Sequence, residues 1–238
     1  MRASGQNVVR PEILGLKGLR RRLATPHDDQ GVQELFQALR EGRPATARGL
    51  ITGWYLAGRP LADIFDGPVR SAMQGLGELW QHSREGILLE HAASVVCAEA
   101  VVQLRDLLPA PPATAPAAVG GAPEGDFYQL PTLLAATTLR GSGYRDWNYG
   151  PNTPLPLLST AAREREARIV WVSISSEVTA PVKRQIRALA EELAGTRAQL
   201  VVGGRLAVGN VPPAPNIRLM STMGELAAFA AALGRGEG

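Results

Sequence analysis

From residue 31 the apolar side chains Val32, Leu35, Phe36 and Leu39 return every three or four positions, which predicts an amphipathic helix ended by Arg43-Pro44. A second helical stretch covers residues 45–57 and breaks at Gly58-Arg59-Pro60, after which Leu61, Ile64 and Phe65 open a short third helix. Pro68 stands where a helix start tolerates proline, with Asp66 just before it as the expected cap, and a long helix is predicted over residues 69–82. Gly86 allows a turn, and residues 88–108 read as the last helix of the series. The expectation is an arm over residues 1–30 and an all-helical unit of four or five helices over residues 31–108.

The pattern then changes. Residues 109–116, Pro-Ala-Pro-Pro-Ala-Thr-Ala-Pro, form a proline-rich connector expected to be stiff and extended. After it, short apolar runs alternate with amphipathic ones over residues 117–238. Strands are predicted at 117–120, 144–149, 169–173, 200–204 and 217–220, and helices at 130–139, 154–162, 182–193 and 224–233. Strands that alternate with helices imply a doubly wound parallel sheet, flavodoxin-like and five-stranded, covered on both faces. Ligands of such sheets bind beyond the carboxyl ends of the strands, where strand order reverses.

Composition narrows the possibilities. A chain of 238 residues with 45% apolar content can bury two modest cores. No apolar run reads as long enough to cross a bilayer, and Met1-Arg2-Ala3-Ser4-Gly5-Gln6-Asn7 lacks the apolar core of a signal peptide, so a cytoplasmic protein without membrane association is expected. Cys97 has no second cysteine to pair with and sits among Val95, Val96 and Ala98 as a small buried hydrophobe would. The formal charge of +3 gives no general argument for nucleic acid. The basic cluster Lys17-Gly18-Leu19-Arg20-Arg21-Arg22 reads as a solvated arm, and too few patterned residues precede Gly31 for a helix-turn-helix unit. Direct nucleic-acid binding is therefore not expected. No Ser-His-Asp nucleophile, phosphate loop or paired carboxylate site emerges, so the chain is not expected to be an enzyme. A zinc site from His82, His91 and Cys97 matches no compact ligand spacing, and His27 and His82 read as solvent-exposed.

The chemistry concentrates in two places. One is the word Leu79-Trp80-Gln81-His82-Ser83-Arg84-Glu85-Gly86-Ile87-Leu88-Leu89-Glu90-His91, which holds a Trp and, eleven positions on, one of the few histidines behind a glutamate. The other is the set Asp126-Phe127-Tyr128-Gln129-Leu130-Pro131, Ser173-Ile174-Ser175-Ser176 and Gly203-Gly204-Arg205, each following a predicted strand. Taken singly, Trp80 is a core residue, Glu90 and His91 are a charged pair on a helix face, and the serines and glycines are caps and tight turns.

Taken together, these words resemble the cobalamin-binding family that joins a helical-bundle cap to a Rossmann-like B12-binding domain, as in B12-dependent light-sensing repressors and corrinoid carrier proteins. The resemblance covers residues 31–233. It implies that Trp80 lies over the upper face of a corrin, that Glu90 and His91 close around the upper ligand with His91 on the metal, and that the ligand is held between cap and sheet. It also implies that Ser173, Ser175, Gly203 and Gly204 leave room for the nucleotide tail of the cofactor. The sequence departs from the family at two positions. Tyr128 stands where the family has the histidine that takes the lower cobalt position, and Pro131 where it has a glycine. A tyrosine with an ordinary pKa of about 10 is a poor replacement for imidazole at neutral pH, and proline removes a backbone donor and fixes φ. The aromatic side chains of Phe127, Tyr128, Trp147 and Tyr149, near strand ends, are suited to stacking on a flat chromophore.

The expected function is a stand-alone sensor of the B12-photoreceptor type that holds cobalamin, as adenosylcobalamin or another form, or a linear tetrapyrrole such as biliverdin. Its partner would be a regulatory protein or a second copy of the chain. Two alternatives stand beside it: a corrinoid carrier for methyl transfer between methyltransferases, and an adaptor that has lost ligand binding.

Overall fold

In a computed structural model of the chain, residues 29–80, 84–211 and 214–235 are described. Lys17 to Arg22, His27 and His82 fall outside them. In chain order, α1 (Asp29–Arg40), α2 (Pro44–Leu56), α3 (Leu61–Ile64), a π-helical turn (Phe65–Val69), α4 (Arg70–Trp80) and α5 (Arg84–Arg105) come first. They are followed by β1 (Ala117–Gly121), α6 (Gln129–Gly141), β2 (Arg145–Asn148), α7 (Leu155–Glu164) and β3 (Ala167–Ser173). The last elements are α8 (Ala180–Leu193), β4 (Gln199–Gly203), β5 (Ile217–Met220) and α9 (Met223–Gly234). The chain divides into two compact units, one holding residues up to Pro60 together with Pro68–Leu107, the other Leu61–Gly67 and Leu108–Gly238.

In the first unit α5 packs against α2 and α4, and α1 packs against α2 and α4. The sequence puts apolar residues at helical spacing on the facing sides: Leu35 and Leu39 of α1, Leu50, Ile51 and Trp54 of α2, Leu76 of α4, and Ala93, Cys97, Val101 and Leu104 of α5 are all buried. Burial pushes the Cys97 thiol up to about 12, so it is an inert core group at physiological pH. Two expectations change here. Gly86 lies inside α5 and is buried rather than turning the chain. The segment Gly86–Arg105, contrary to the reading that no run is long enough, has the length and composition to cross a membrane. The same segment carries a buried stripe spaced for bundle packing, with Glu90 and Glu99 along its length.

The second unit is built on a five-stranded sheet in the order β2-β1-β3-β4-β5, parallel throughout, the doubly wound arrangement that the alternation of strands and helices predicts. One face is closed by α7 and α8 over Val119, Val170, Val172, Leu200 and Val202. The other is closed by α6 and α9 over Ala118, Ile169, Trp171, Val201 and Met220. The sheet is buried on both sides, which is why its central strands are near-continuous apolar runs.

The segment Leu61–Gly67 belongs with this second unit, where α3 packs against α6 and α9, and one side chain ties it there. Asp66 was expected to cap the helix that follows it. Instead its two carboxylate oxygens accept the backbone N–H of Met223 at 2.8 Å and of Gly224 at 2.8 Å, 157 and 158 residues away, at the start of α9. Pro68 has no N–H to give, and the chain passes it in a π-helical turn rather than opening a helix there. Thr222 and Glu225 complete the cap reciprocally, so the first amides of α9 all have acceptors. Replacing Asp66 by alanine leaves two of those amides without their acceptor, and we expect a loss of about 1–3 kcal/mol in chemical denaturation, with faster exchange of the Met223 and Gly224 amides. Unchanged exchange at those two amides would show that α9 does not depend on the carboxylate.

Candidate functional site

In a 2-1-3-4-5 sheet the strand order reverses between β1 and β3, and the loops leaving their carboxyl ends diverge to make a crevice. The loop after β1, residues 122–128, carries the first of the site words. It is held from two directions. Asn152, in the loop after β2, donates its backbone N–H to Asp126 O at 2.8 Å, while its side-chain Oδ1 accepts Gly125 N–H at 2.9 Å. Asp126 N–H in turn donates to Pro123 O at 2.9 Å, closing a turn in which Gly125 has φ +83°.

The other direction is the Asp126 side chain, only 1% exposed. Its Oδ2 accepts the backbone N–H of Ser175 at 2.6 Å and of Ser176 at 2.9 Å, and its Oδ1 accepts Tyr128 N–H at 3.2 Å. The carboxylate is thus spent on three backbone amides and ties the β1 loop to the β3 loop across the switch point. Charge-assisted bonds of this kind are each worth about 1.5–3 kcal/mol, more than neutral ones.

Two residues beyond, Tyr128 is 39% exposed, Phe127 72% and, on the β2 loop, Tyr149 44%. Arg205 spans part of this surface: its Nη2 donates to Ser175 O at 3.1 Å, and its guanidinium carbon lies 5.8 Å from the Tyr128 ring centroid. Arg165 does the same on the β2 side, donating from Nε to Tyr149 Oη at 3.3 Å and stacking 4.3 Å from the centroid of Trp147. The open end of the sheet therefore presents exposed aromatic rings, two of them steadied by arginines.

The small residues expected to leave room for a nucleotide tail are occupied by the protein itself. Ser173 and Ser175 are buried. Gly204 has φ +107°, and a Cβ there would lie 2.3 Å from Ile174 O. A Cβ on Gly203 would come within 3.1 Å of Met220 O. Glycine is required at Gly204 by its positive φ and the close approach of the Ile174 backbone, and Gly203 packs tightly against Met220.

Sequence reasoning missed Trp171. It read as one residue of a β-prone strand, yet its indole is 2% exposed and fills the hollow beside Gly120, where a Cβ would lie 2.3 Å from Trp171 Cδ2. The available signal was alternation: Trp171 lies two residues before Ser173 and so on the same face of β3.

In the helical unit, His91 is exposed on α5, at 69% of its side chain, with Nε2 3.8 Å from Glu90 Oε2. The other Glu90 oxygen accepts the Ser94 hydroxyl at 3.0 Å. Trp80 is the last residue of α4, but its side chain falls outside the described residues. No group of three or more His, Cys, Asp or Glu able to hold a metal is found among the described residues.

These residues present exposed aromatic rings beside two arginines at the sheet end. They do not suit a lower metal ligand from the chain: the position two residues after Asp126 carries the half-exposed phenol of Tyr128, not an imidazole. Of the residues implied as a tail cradle, Ser173 and Ser175 are buried and Gly204 lies against the Ile174 backbone, so they do not form an open cradle.

No protein-family model and no curated protein matches the chain. Solved structures do. The monomethylamine corrinoid protein of Methanosarcina barkeri superposes with a TM-score of 0.63 at 17% identity, over 87% of this chain and 100% of its own. The methanol:cobalamin methyltransferase complex MtaBC from Methanosarcina barkeri aligns over 97% of this chain and 90% of its own, at 16% identity and a TM-score of 0.45. A cobalamin-binding protein from Desulfitobacterium hafniense aligns over 87% of this chain and 98% of its own, at 17% identity and a TM-score of 0.37. The first of these establishes the fold: a helical unit followed by a Rossmann-like α/β unit, as the resemblance implied.

Replacing Asp126 by alanine leaves the Ser175 and Ser176 amides without an acceptor in a buried setting. We expect a loss of about 2–4 kcal/mol in urea denaturation of the α/β unit, with Asp126→Asn recovering part of it because one acceptor oxygen remains. Equal stability of wild type and Asp126→Ala would remove the latch from the structure.

Proposed function

We propose that this protein is a corrinoid-binding module that offers the cofactor an aromatic sheet end and no lower axial ligand, and that it works as a sensory or regulatory binding protein rather than as an enzyme. The observation that carries the reading is the Asp126 carboxylate, committed to the amides of Ser175 and Ser176, with Tyr128 rather than histidine two residues on. The fold shared with the monomethylamine corrinoid protein supports a corrinoid as the ligand class. Phe127, Tyr128 and Tyr149 supply the stacking surface, and burial of such rings against a flat ligand is favourable by hydrophobic and quadrupolar terms together.

Methyl transfer is the second reading, favoured by the same likeness of fold. It asks more of the chain, because a carrier must hold cobalt through changes of oxidation state, and a tyrosine side chain is a poorer donor than imidazole. A binding role asks only for differential affinity between two states of the ligand or of the protein. Its downstream partner would be a regulatory protein or a second copy of this chain. A linear tetrapyrrole such as biliverdin would meet the same aromatic surface, with no metal to ligate.

The test is retention of pigment. Purified protein is incubated separately with hydroxocobalamin, cobinamide and biliverdin, desalted, and its absorbance recorded in darkness and after illumination. At least one corrinoid is expected to stay with the protein, and Tyr128→Phe is expected to leave the cobalt-dependent bands unmoved, because the phenol is not on the metal. Protein that emerges without either corrinoid overturns the reading, and a band shift in Tyr128→Phe would put the tyrosine on cobalt. Biliverdin retained alone would assign the site to a bilin.

A further inference from the structure

The face of the sheet under α6 and α9 is closed by a tryptophan set among small residues. Alternation along the strands puts Ala118 and Gly120 of β1, Ile169, Trp171 and Ser173 of β3, and Val201 and Gly203 of β4 on this one face. Trp171 sits directly beside Gly120 in the register, and its side chain lies across the glycine: a Cβ there would be 2.2 Å from Trp171 O and 2.3 Å from Cδ2. The indole is pinned. Its Nε1 donates to Thr132 Oγ1 of α6 at 3.0 Å, and that hydroxyl donates to Asn148 Oδ1 of β2 at 2.9 Å. Asn148 Oδ1 also accepts Gly150 N–H at 3.1 Å, so one buried chain joins β3, α6, β2 and the loop after β2. Around the indole Ala135, Ala136 and Leu139 of α6 and Leu226, Ala230 and Leu233 of α9 complete a continuous apolar cluster. Tyr144 locks the two helices' side of the sheet by donating its hydroxyl to Ala230 O at 3.0 Å.

We infer that this protein selects tetrapyrroles that lack a nucleotide tail, because on the α6 and α9 face of the sheet Trp171 lies across Gly120, is bonded to Thr132 and is packed into the apolar cluster, so the protein's own side chains take up that face. The inference rests on the proposed corrinoid site and refines its ligand class. Inserting an aromatic nucleotide along this face would require the indole to leave its hydrogen bond with Thr132 and the apolar cluster to open. A well-packed interior does not yield that volume without loss of contacts elsewhere. A ligand with no tail would ask nothing of that face and would need only the exposed rings of Phe127 and Tyr128.

Cobinamide and cobalamin share the corrin and differ in the nucleotide, so the pair isolates the tail. We expect wild-type protein to bind dicyanocobinamide about tenfold or more tightly than cyanocobalamin by spectrophotometric titration. Trp171→Leu, checked for native folding by thermal melt and circular dichroism, is expected to narrow that ratio several-fold by gain of cobalamin affinity. A wild-type preference for cyanocobalamin overturns the inference while leaving the corrinoid site standing, as does an unchanged ratio in a folded Trp171→Leu. If the leucine variant does not fold, the wild-type ratio decides alone. Binding of neither corrinoid overturns the site itself, and the tail selectivity with it.

Discussion

A carboxylate taken out of water must be given donors, and at the open end of this sheet the donors are the backbone amides of the β3 loop. Asp126 accepts from Ser175 and Ser176 with one oxygen and from Tyr128 with the other. Much follows from that single arrangement. The β1 loop is drawn across the switch point, so its next residues, Phe127 and Tyr128, are turned outward and stay exposed. The β3 loop is fixed in turn, which sets Ser175 O where Arg205 can bind it and where the same guanidinium lies over the Tyr128 ring. The acid is used to join two loops, and two residues on the chain carries a tyrosine.

The two departures from the expected cofactor site therefore belong together. The position implied for a lower ligand is a phenol on a latched loop, and of the small residues implied for a tail Ser173 and Ser175 are buried while Gly204 lies against the Ile174 backbone. Both lie at the carboxyl end of the sheet, where Phe127, Tyr128 and Tyr149 are exposed and Arg205 and Arg165 lie beside them.

Much of the fold was legible in the sequence because it is written in local periodicity. Apolar runs of four to seven residues alternating with amphipathic stretches gave the parallel sheet, and β5 falls at residues 217–220 as read. Long-range partners are not written that way. Asp66 looked like a local cap because a carboxylate before a proline usually is one; its true partners lie 157 and 158 residues away. Gly86 looked like a turn because glycine is a weak helix former, but burial inside the bundle outweighs a propensity cost of about 1 kcal/mol. Gly203 and Gly204 looked like room for a ligand because small residues look alike whether they face a cavity or a neighbouring backbone. Trp171 was overlooked because a strand's apolar residues do not reveal which of them carries a buried hydrogen bond.

The central claim is that Asp126 permanently holds the β1 and β3 loops together, and amide hydrogen exchange at Ser175 and Ser176 tests it most directly. Both amides are expected to be protected to near the level of the β3 core, in the free protein and equally in protein loaded with cobinamide. Free exchange at those two positions, or protection that disappears when the ligand binds, would contradict it.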